Sequence, residues 1–200
     1  FLFLFGDLKL NVLEALRISK TPITAIFITS DKAYDNLELN RGYIESDILG
    51  GKDPYSASKG MAELALKSYY HSFFKEQESK IKLAITRAGN VIGGGDWALD
   101  RIIPDCVKAW ASNKSVEIRN PNATRPWQHV LEPLGGYLLL GIALEKTKEV
   151  NGEAFNFGPK KENDFSVKEL IDGMQKHWSN VGWRDLSSED SNVYEAHLLR

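Results

Sequence analysis

The sequence predicts an α/β protein built on a parallel sheet with helices on both faces, and three observations carry that reading. Two short apolar runs rich in β-branched residues, Ile23 to Thr29 and Ile81 to Thr86, suit strands buried on both faces. A long helical pattern beginning at Pro54 lies between them, so the succession is strand, helix, strand. The 200 residues are 42% hydrophobic and 26% charged, enough apolar side chain to build a core.

The elements follow in order. Phe1 to Phe5 is apolar but far too short to cross the roughly 30 Å of a bilayer core, and no basic residue precedes it, so no membrane segment is expected. The chain starts in mid-pattern without an initiator Met, which predicts a piece of something longer. Leu8, Val12, Leu13 and Leu16 recur at helical spacing between Asp7 and Lys20, and Pro22 stops that helix. After the first strand comes a polar loop. Pro54 then fits the first turn of a helix whose face of Met61, Leu64, Ala65 and Tyr69 runs to about Phe74. The second strand leads into a loop from Gly89 to Asp100 that contains three consecutive glycines.

Beyond Arg101 the pattern changes. A helix to about Asn113 precedes short strands at Val116 to Arg119 and Trp127 to Val130, then a helix from Pro133 to Lys146. A strand at Ala154 to Phe157 and a helix from Ser166 to Trp178 follow, with Ser166 and Glu169 spaced as a capping box. This divides the chain into residues 1–100 and 101–200, with interleaving of the two parts allowed.

Lys and Arg total 25 against 27 Asp and Glu, a net charge of −2 that supplies no basic field for nucleic acid. An anionic ligand must be met by local arginines. The single cysteine, Cys106, excludes an internal disulfide and fits a reducing, cytoplasmic setting.

Ligands of a parallel α/β sheet sit beyond the carboxyl ends of its strands. Thr29-Ser30-Asp31-Lys32 stands there, presenting a hydroxyl, a carboxylate and an ammonium; a polar loop that merely caps the strand has the same composition. Tyr55 and Lys59 are four residues apart, which on a helix places phenol and ammonium on one face. A cation within a few Å favours phenolate and makes a tyrosine a usable general base near neutrality. Gly93-Gly94-Gly95-Asp96-Trp97-Ala98 formally matches a dinucleotide fingerprint. Asp96 and Asp100 would repel a pyrophosphate there, so a tight turn is the better reading. No convincing dinucleotide phosphate loop is present in the sequence.

Arg87, Arg101, Arg119 and Arg125 offer guanidinium forks suited to phosphate, about half of them expected to be ordinary surface residues. Asn90 offers an amide to sugar or phosphate, or serves its own turn. His71, His129, His177 and His197 are too scattered for a local metal motif, and no metal is expected. Trp127 is the tryptophan expected nearest a ligand.

Taken together, Ile28-Thr-Ser-Asp-Lys-Ala-Tyr-Asp, Asp53-Pro-Tyr-Ser-Ala-Ser-Lys-Gly, Arg87-Ala-Gly-Asn-Val-Ile-Gly-Gly-Gly-Asp-Trp and Arg125-Pro-Trp-Gln-His-Val resemble the extended short-chain dehydrogenase/reductase family. The likeness runs from about Asn11 to Arg200, and the last two motifs point to its nucleotide-sugar dehydratase branch. The resemblance implies the later part of a Rossmann-type doubly wound sheet in residues 1–100. In residues 101–200 it implies a smaller α/β substrate-binding region cut short at its end, with the Gly-rich NAD loop belonging to a preceding half.

For the parent protein the resemblance implies 4,6-dehydration of a nucleotide-activated hexose, CDP-glucose, with tightly bound NAD, in a homodimer. Tyr55 and Lys59 are then the base and the nicotinamide-ribose contact, and Ser30 is a hydrogen-bond donor to the substrate 4-oxygen. Asp31 is the acid for the departing 6-hydroxyl. Lys32 stands where related dehydratases have a glutamate base, and either base or enolate stabiliser remains open for it. Asn90 and Arg125 match diphosphate contacts, while Arg101, His129, Glu195 and His197 are nucleotide-side candidates. A sister epimerase needs Tyr55 and Lys59 but not the Ser30-Asp31-Lys32 set. A non-catalytic fragment that only binds nucleotide sugar is the third reading.

Overall fold

The computed structural model describes residues 2–76, 79–159 and 165–187, with side chains from Lys9 onward. The chain forms two compact units. The first comprises Phe1–Leu37, Tyr43–Gly89 and Val130–Gly158, and the second Glu38–Gly42, Asn90–His129 and Pro159–Arg200. The boundary expected near residue 100 therefore falls at residues 89 and 90, and the chain returns to the first unit at Val130. The physical cause is a strand late in the sequence that completes the first unit's sheet.

That sheet has three parallel strands. Its order is β1 (Ile23–Ile28), β2 (Ile81–Ala88) and β7 (Ala154–Phe157), with β2 in the centre. Ile23 pairs with Ile81 and Ile28 with Thr86, while Ile85 to Ala88 pair with Ala154 to Phe157. The continuous apolar character of β2 follows from its place. Alternate side chains serve opposite faces. Ile81, Leu83 and Ile85 join Leu13 and Leu16 of α1 (Leu2–Ile18) and Leu66 of α2 (Pro54–Tyr69) in one cluster. Ala84 joins Leu140 and Leu144 of α4 (Leu131–Lys146) in another. Helices cover both faces, as the sequence predicts.

Helix α1 begins at Leu2, earlier than the expected Asp7, because helix runs through Gly6 and Asp7 without a break. Helix α2 continues into a single wide π turn, Tyr70–Phe74, so the helical path ends at the expected Phe74. β1 is an edge strand. Leu131, Leu138 and Leu139 of α4 are exposed on the side away from Leu140 and Leu144.

The second unit is built from short pieces. β3 (Val91–Ile92) pairs parallel with β6 (Gln128–His129), and β4 (Val116–Ile118) parallel with β9 (Trp183–Asp185). β5 (Thr124–Arg125) pairs antiparallel with β8 (Phe165–Ser166). Its core sets Cys106 and Trp110 of α3 (Ile102–Ala111) against Val116, Ile118 and Ile171 of α5 (Val167–Gln175). The capping box at Ser166 and Glu169 forms as the spacing predicts. β6 is shorter than the expected Trp127 to Val130, because Trp127 turns back to Arg125 and Val130 already has helical backbone geometry.

Candidate functional site

β1 ends at Ile28, and the next residues turn at once. Asp31–Ala33 form one 3₁₀ turn capped by Ser30, whose Oγ accepts the Lys32 N–H at 3.2 Å. The same hydroxyl donates to Asp31 Oδ1 at 2.8 Å. The loop is therefore a folded turn at the carboxyl end of a parallel strand, with Ser30, Asp31 and Lys32 half-buried.

Helix α2 starts beside that turn. Asp53 caps it, accepting the Ser56 N–H at 3.0 Å and the Ser56 hydroxyl at 2.6 Å. Burial opposes ionisation of Asp53, but the Ser56 bonds, the Tyr55 N–H and the nearby charge of Lys32 outweigh it and hold the carboxyl below its ordinary range. Gly60 lets the helix come close: a Cβ there would lie 3.3 Å from Gly50 N and 3.4 Å from Ala33 O. Tyr55 in the first turn is 50% exposed. Lys59, half-buried one turn later, places Nζ 5.1 Å from the centre of the Tyr55 ring. Burial lowers the pKa of Lys59. The local spacing thus produces the phenol and ammonium pair the sequence predicts, and the donor set suits a sugar hydroxyl together with a ribose diol.

A buried polar network lies behind this face. Glu63, one turn beyond Lys59, is 0% exposed, and Arg87 of β2 is 1% exposed. Arg87 Nε lies 2.9 Å from both Glu63 oxygens, and its terminal Nη2 donates to Glu63 Oε2 at 2.5 Å. Arg87 Nη1 donates to Tyr34 Oη at 2.6 Å, and Tyr34 Oη donates to Asn156 Oδ1 at 2.8 Å. The expectation of Arg87 as a phosphate fork is thereby corrected: its guanidinium is committed inside the protein.

Glu63 was not among the residues singled out from sequence. No local signal marks it: the face that the sequence predicts for α2 carries Met61 and Leu64, which are exposed, whereas the face that packs inward carries Ala62, Glu63 and Leu66.

The remaining candidates lie in the second unit. Asn90 is half-buried, and its carbonyl accepts the Gln128 N–H at 3.0 Å. Arg101 is exposed at the N-terminus of α3. Arg125 is buried and donates to its neighbour's carbonyl, Thr124 O, at 2.8 Å. His129 is exposed on β6, and Arg119 lies 3.7 Å from Asp100 in an exposed ion pair. Trp127 is half-buried. Glu195 and His197 lie outside the described residues.

After β3 the glycines make a turn, with Gly95 at φ +83°, and Asp96 accepts the Ala98 N–H at 3.0 Å. The next helix starts only at Ile102, so these glycines do not open onto a helix N-terminus. Among the described residues no three His, Cys, Asp or Glu side chains stand together as metal ligands, and no helix is long and apolar enough to cross a membrane.

Against known proteins, residues 6–158 match the model of the NAD dependent epimerase/dehydratase family. The chain is 43% identical over 194 residues to the CDP-glucose 4,6-dehydratase of Salmonella typhimurium, covering 95% of this chain and 54% of that protein. Among solved structures it resembles a UDP-glucuronic acid 4-epimerase from Bacillus cereus, TM-score 0.75 at 21% identity over 90% of this chain and 54% of that one. It also resembles a dTDP-glucose 4,6-dehydratase from Bacillus anthracis solved with NAD, TM-score 0.71 at 19% identity over 96% of this chain and 57% of that one. At such identities the structural likeness shows the fold alone. The chain spans about half the length of these relatives.

Proposed function

The chain belongs to the NAD dependent epimerase/dehydratase family, and from that premise we propose that the protein carrying it dehydrates CDP-glucose to CDP-4-keto-6-deoxyglucose. The observation that carries the reading is the pairing of two polar sets in one unit: Tyr55 beside Lys59 on α2, and Ser30-Asp31-Lys32 folded into a turn at the end of β1. Identity of 43% to a CDP-glucose 4,6-dehydratase supports the same substrate.

Each residue has a task in that reading. Tyr55 Oη accepts the proton of the sugar 4-hydroxyl, with the Lys59 ammonium beside its ring as electrostatic support. Bound NAD supplies the hydride acceptor at C4 and the donor at C6. Lys59 Nζ and Tyr55 Oη are the groups that would hold its nicotinamide ribose. Ser30 Oγ hydrogen-bonds the 4-oxygen. Asp31 passes a proton to the departing 6-hydroxyl while the C5 proton passes to a base beside C5: either Lys32 in its neutral form takes it, or a neighbouring base takes it and the Lys32 ammonium stabilises the enolate formed between.

In the second unit Asn90 and Arg125 meet the diphosphate, and Arg101, His129 and His197 the nucleotide. The reading includes a cytoplasmic homodimer that supplies deoxysugar for bacterial surface polysaccharide such as lipopolysaccharide. Exposed Met61 and Leu64 on α2 support pairing through that helix.

The test is incubation of the full-length protein with CDP-glucose and NAD, watching for the ultraviolet absorbance that 4-keto-6-deoxy sugars develop in alkali. Signal that disappears in Tyr55→Phe is the expected result. A 4-epimer as the product overturns dehydration in favour of a sister epimerase.

A further inference from the structure

We infer that the buried Glu63–Arg87 pair is a positioning device for the reaction, fixing the rotation of helix α2 so that Tyr55 and Lys59 meet the substrate at the end of β1. The inference rests on the proposed roles of Tyr55 and Lys59.

Glu63 follows Lys59 by one helical turn and Tyr55 by two, on the same uninterrupted helix. Its carboxylate is held from two strands at once. Thr29 Oγ1, just past the end of β1, lies 2.6 Å from Glu63 Oε1, and Arg87 of β2 grips both oxygens. Arg87 is itself fixed by Tyr34, which it bonds through Nη1 and overlies with its guanidinium 4.6 Å from the ring centre. Asn156 of β7 accepts from Tyr34 and donates through Nδ2 to Tyr43 O at 2.7 Å. The helix is thus registered against the whole parallel sheet by one chain of hydrogen bonds.

Two arguments give this network a task beyond stability. A buried ion pair is often no more stabilising than a well-packed apolar pair, because desolvation offsets the attraction. What a bidentate guanidinium adds is orientation, since its planar fork accepts the carboxylate in one geometry. A side-chain tip lies about 6 Å from the helix axis, so a rotation of about 10° moves it by about 1 Å. A misplacement of that size costs on the order of 10²-fold in rate.

The experiment uses the full-length protein with NAD and nucleotide sugar. Arg87→Lys keeps the charge and loses the fork, and the double variant Glu63→Gln/Arg87→Met removes both charges. The readouts are the melting temperature, the pH profile of kcat, KM, and the rate at which bound NAD is reduced. The expected result is a double variant that melts near the wild type with unchanged KM, while NAD reduction falls on the order of 10²-fold. Arg87→Lys loses at least about tenfold in kcat at unchanged KM, and in both variants the pH profile of kcat moves.

A wild-type rate and pH profile in Arg87→Lys overturns the inference, as does a reduction rate that follows melting temperature across the variants. Should the double variant fail to fold, Arg87→Lys decides alone. NAD reduction is shared by dehydratase and epimerase, so a 4-epimeric product would overturn the dehydration reading and leave this comparison intact.

Discussion

Asp53 grips Ser56 twice, through the backbone N–H at 3.0 Å and the hydroxyl at 2.6 Å, and so closes the first turn of the helix that presents Tyr55. The first N–H groups of a helix have no partner within it, and a capping carboxylate supplies one while meeting the positive end of the helix dipole. The cap is therefore part of how the phenol is held.

Replacing Asp53 by Ala should lower stability by about 1 kcal/mol near neutral pH, the usual cost of a lost N-cap, whereas Asp53→Asn should cost much less. The pH dependence follows from the lowered carboxyl pKa. A carboxyl depressed on folding contributes stability that is present above its unfolded pKa and is lost as pH falls through the folded one. Wild type should lose this part below about pH 4, and Asp53→Asn should not. Chemical denaturation at neutral and acid pH checks it; parallel losses in wild type and Asp53→Asn would count against it.

Lys9 of α1 gives the same sign of pH dependence but a substitution that stabilises. Its Nζ is buried with no hydrogen-bond partner among the described residues. Burial and then the Lys59 charge lower its pKa, with Glu63 opposing them. A lysine depressed on folding binds fewer protons in the folded than in the unfolded protein between the two pKa values, so stability rises with pH across that window. Lys59, also lowered by burial, adds to the same slope. Lys9→Met should flatten part of the rise and stabilise the protein at neutral pH by about 1 kcal/mol. The comparison belongs below pH 9.0, above which Cys106 contributes a falling slope. A Lys9→Met variant that is less stable than wild type at neutral pH would reject the argument.

The legible parts of this molecule are those decided locally. β2 reads as a strand because burial on both faces demands an unbroken apolar run; β1 carries the same apolar run but is only half-buried, with Ile28 exposed, because it lies at the sheet edge. Tyr55 with Lys59 reads as a pair because one helical turn brings them together. Glu63 and Arg87 lie 24 residues apart, and their meeting depends on how α2 rests on β2. Neither residue carries a local mark of that. The return of Val130–Gly158 to the first unit was equally hidden, since it rests on the pairing of β7 with β2. Two-residue strands such as β3 and β5 have no period to read.

Two adjacent glycines in α4 should behave oppositely. Alanine is favoured over glycine in a helix by up to about 1 kcal/mol. At Gly135 a Cβ would meet nothing within 4 Å, so Gly135→Ala should stabilise. At Gly136 a Cβ would sit 2.2 Å from the Phe157 ring, where α4 lies directly on β7. Overpacking of that kind costs roughly 1–3 kcal/mol and exceeds the propensity gain. Thermal unfolding of the two variants should show one midpoint rise and the other fall. Equal shifts would contradict the close approach of helix and strand.

Cys106 lies 0% exposed among Trp110, Val116 and Ile118, and burial first, then the neighbouring Asp105, pushes its thiol up from 9.0 to about 12. The thiolate is the reactive species, so both access and ionisation protect it. The folded protein at pH 8 should resist iodoacetamide, and denaturant should release one alkylatable thiol per chain, read by mass spectrometry. The same shift makes stability fall with pH between 9.0 and about 12, where the unfolded thiol has lost its proton and the folded one has not. Cys106→Ala should lose that alkaline slope while keeping the acid behaviour of Asp53. Rapid labelling of the folded chain would mean that α3 does not close over the second unit's core as described.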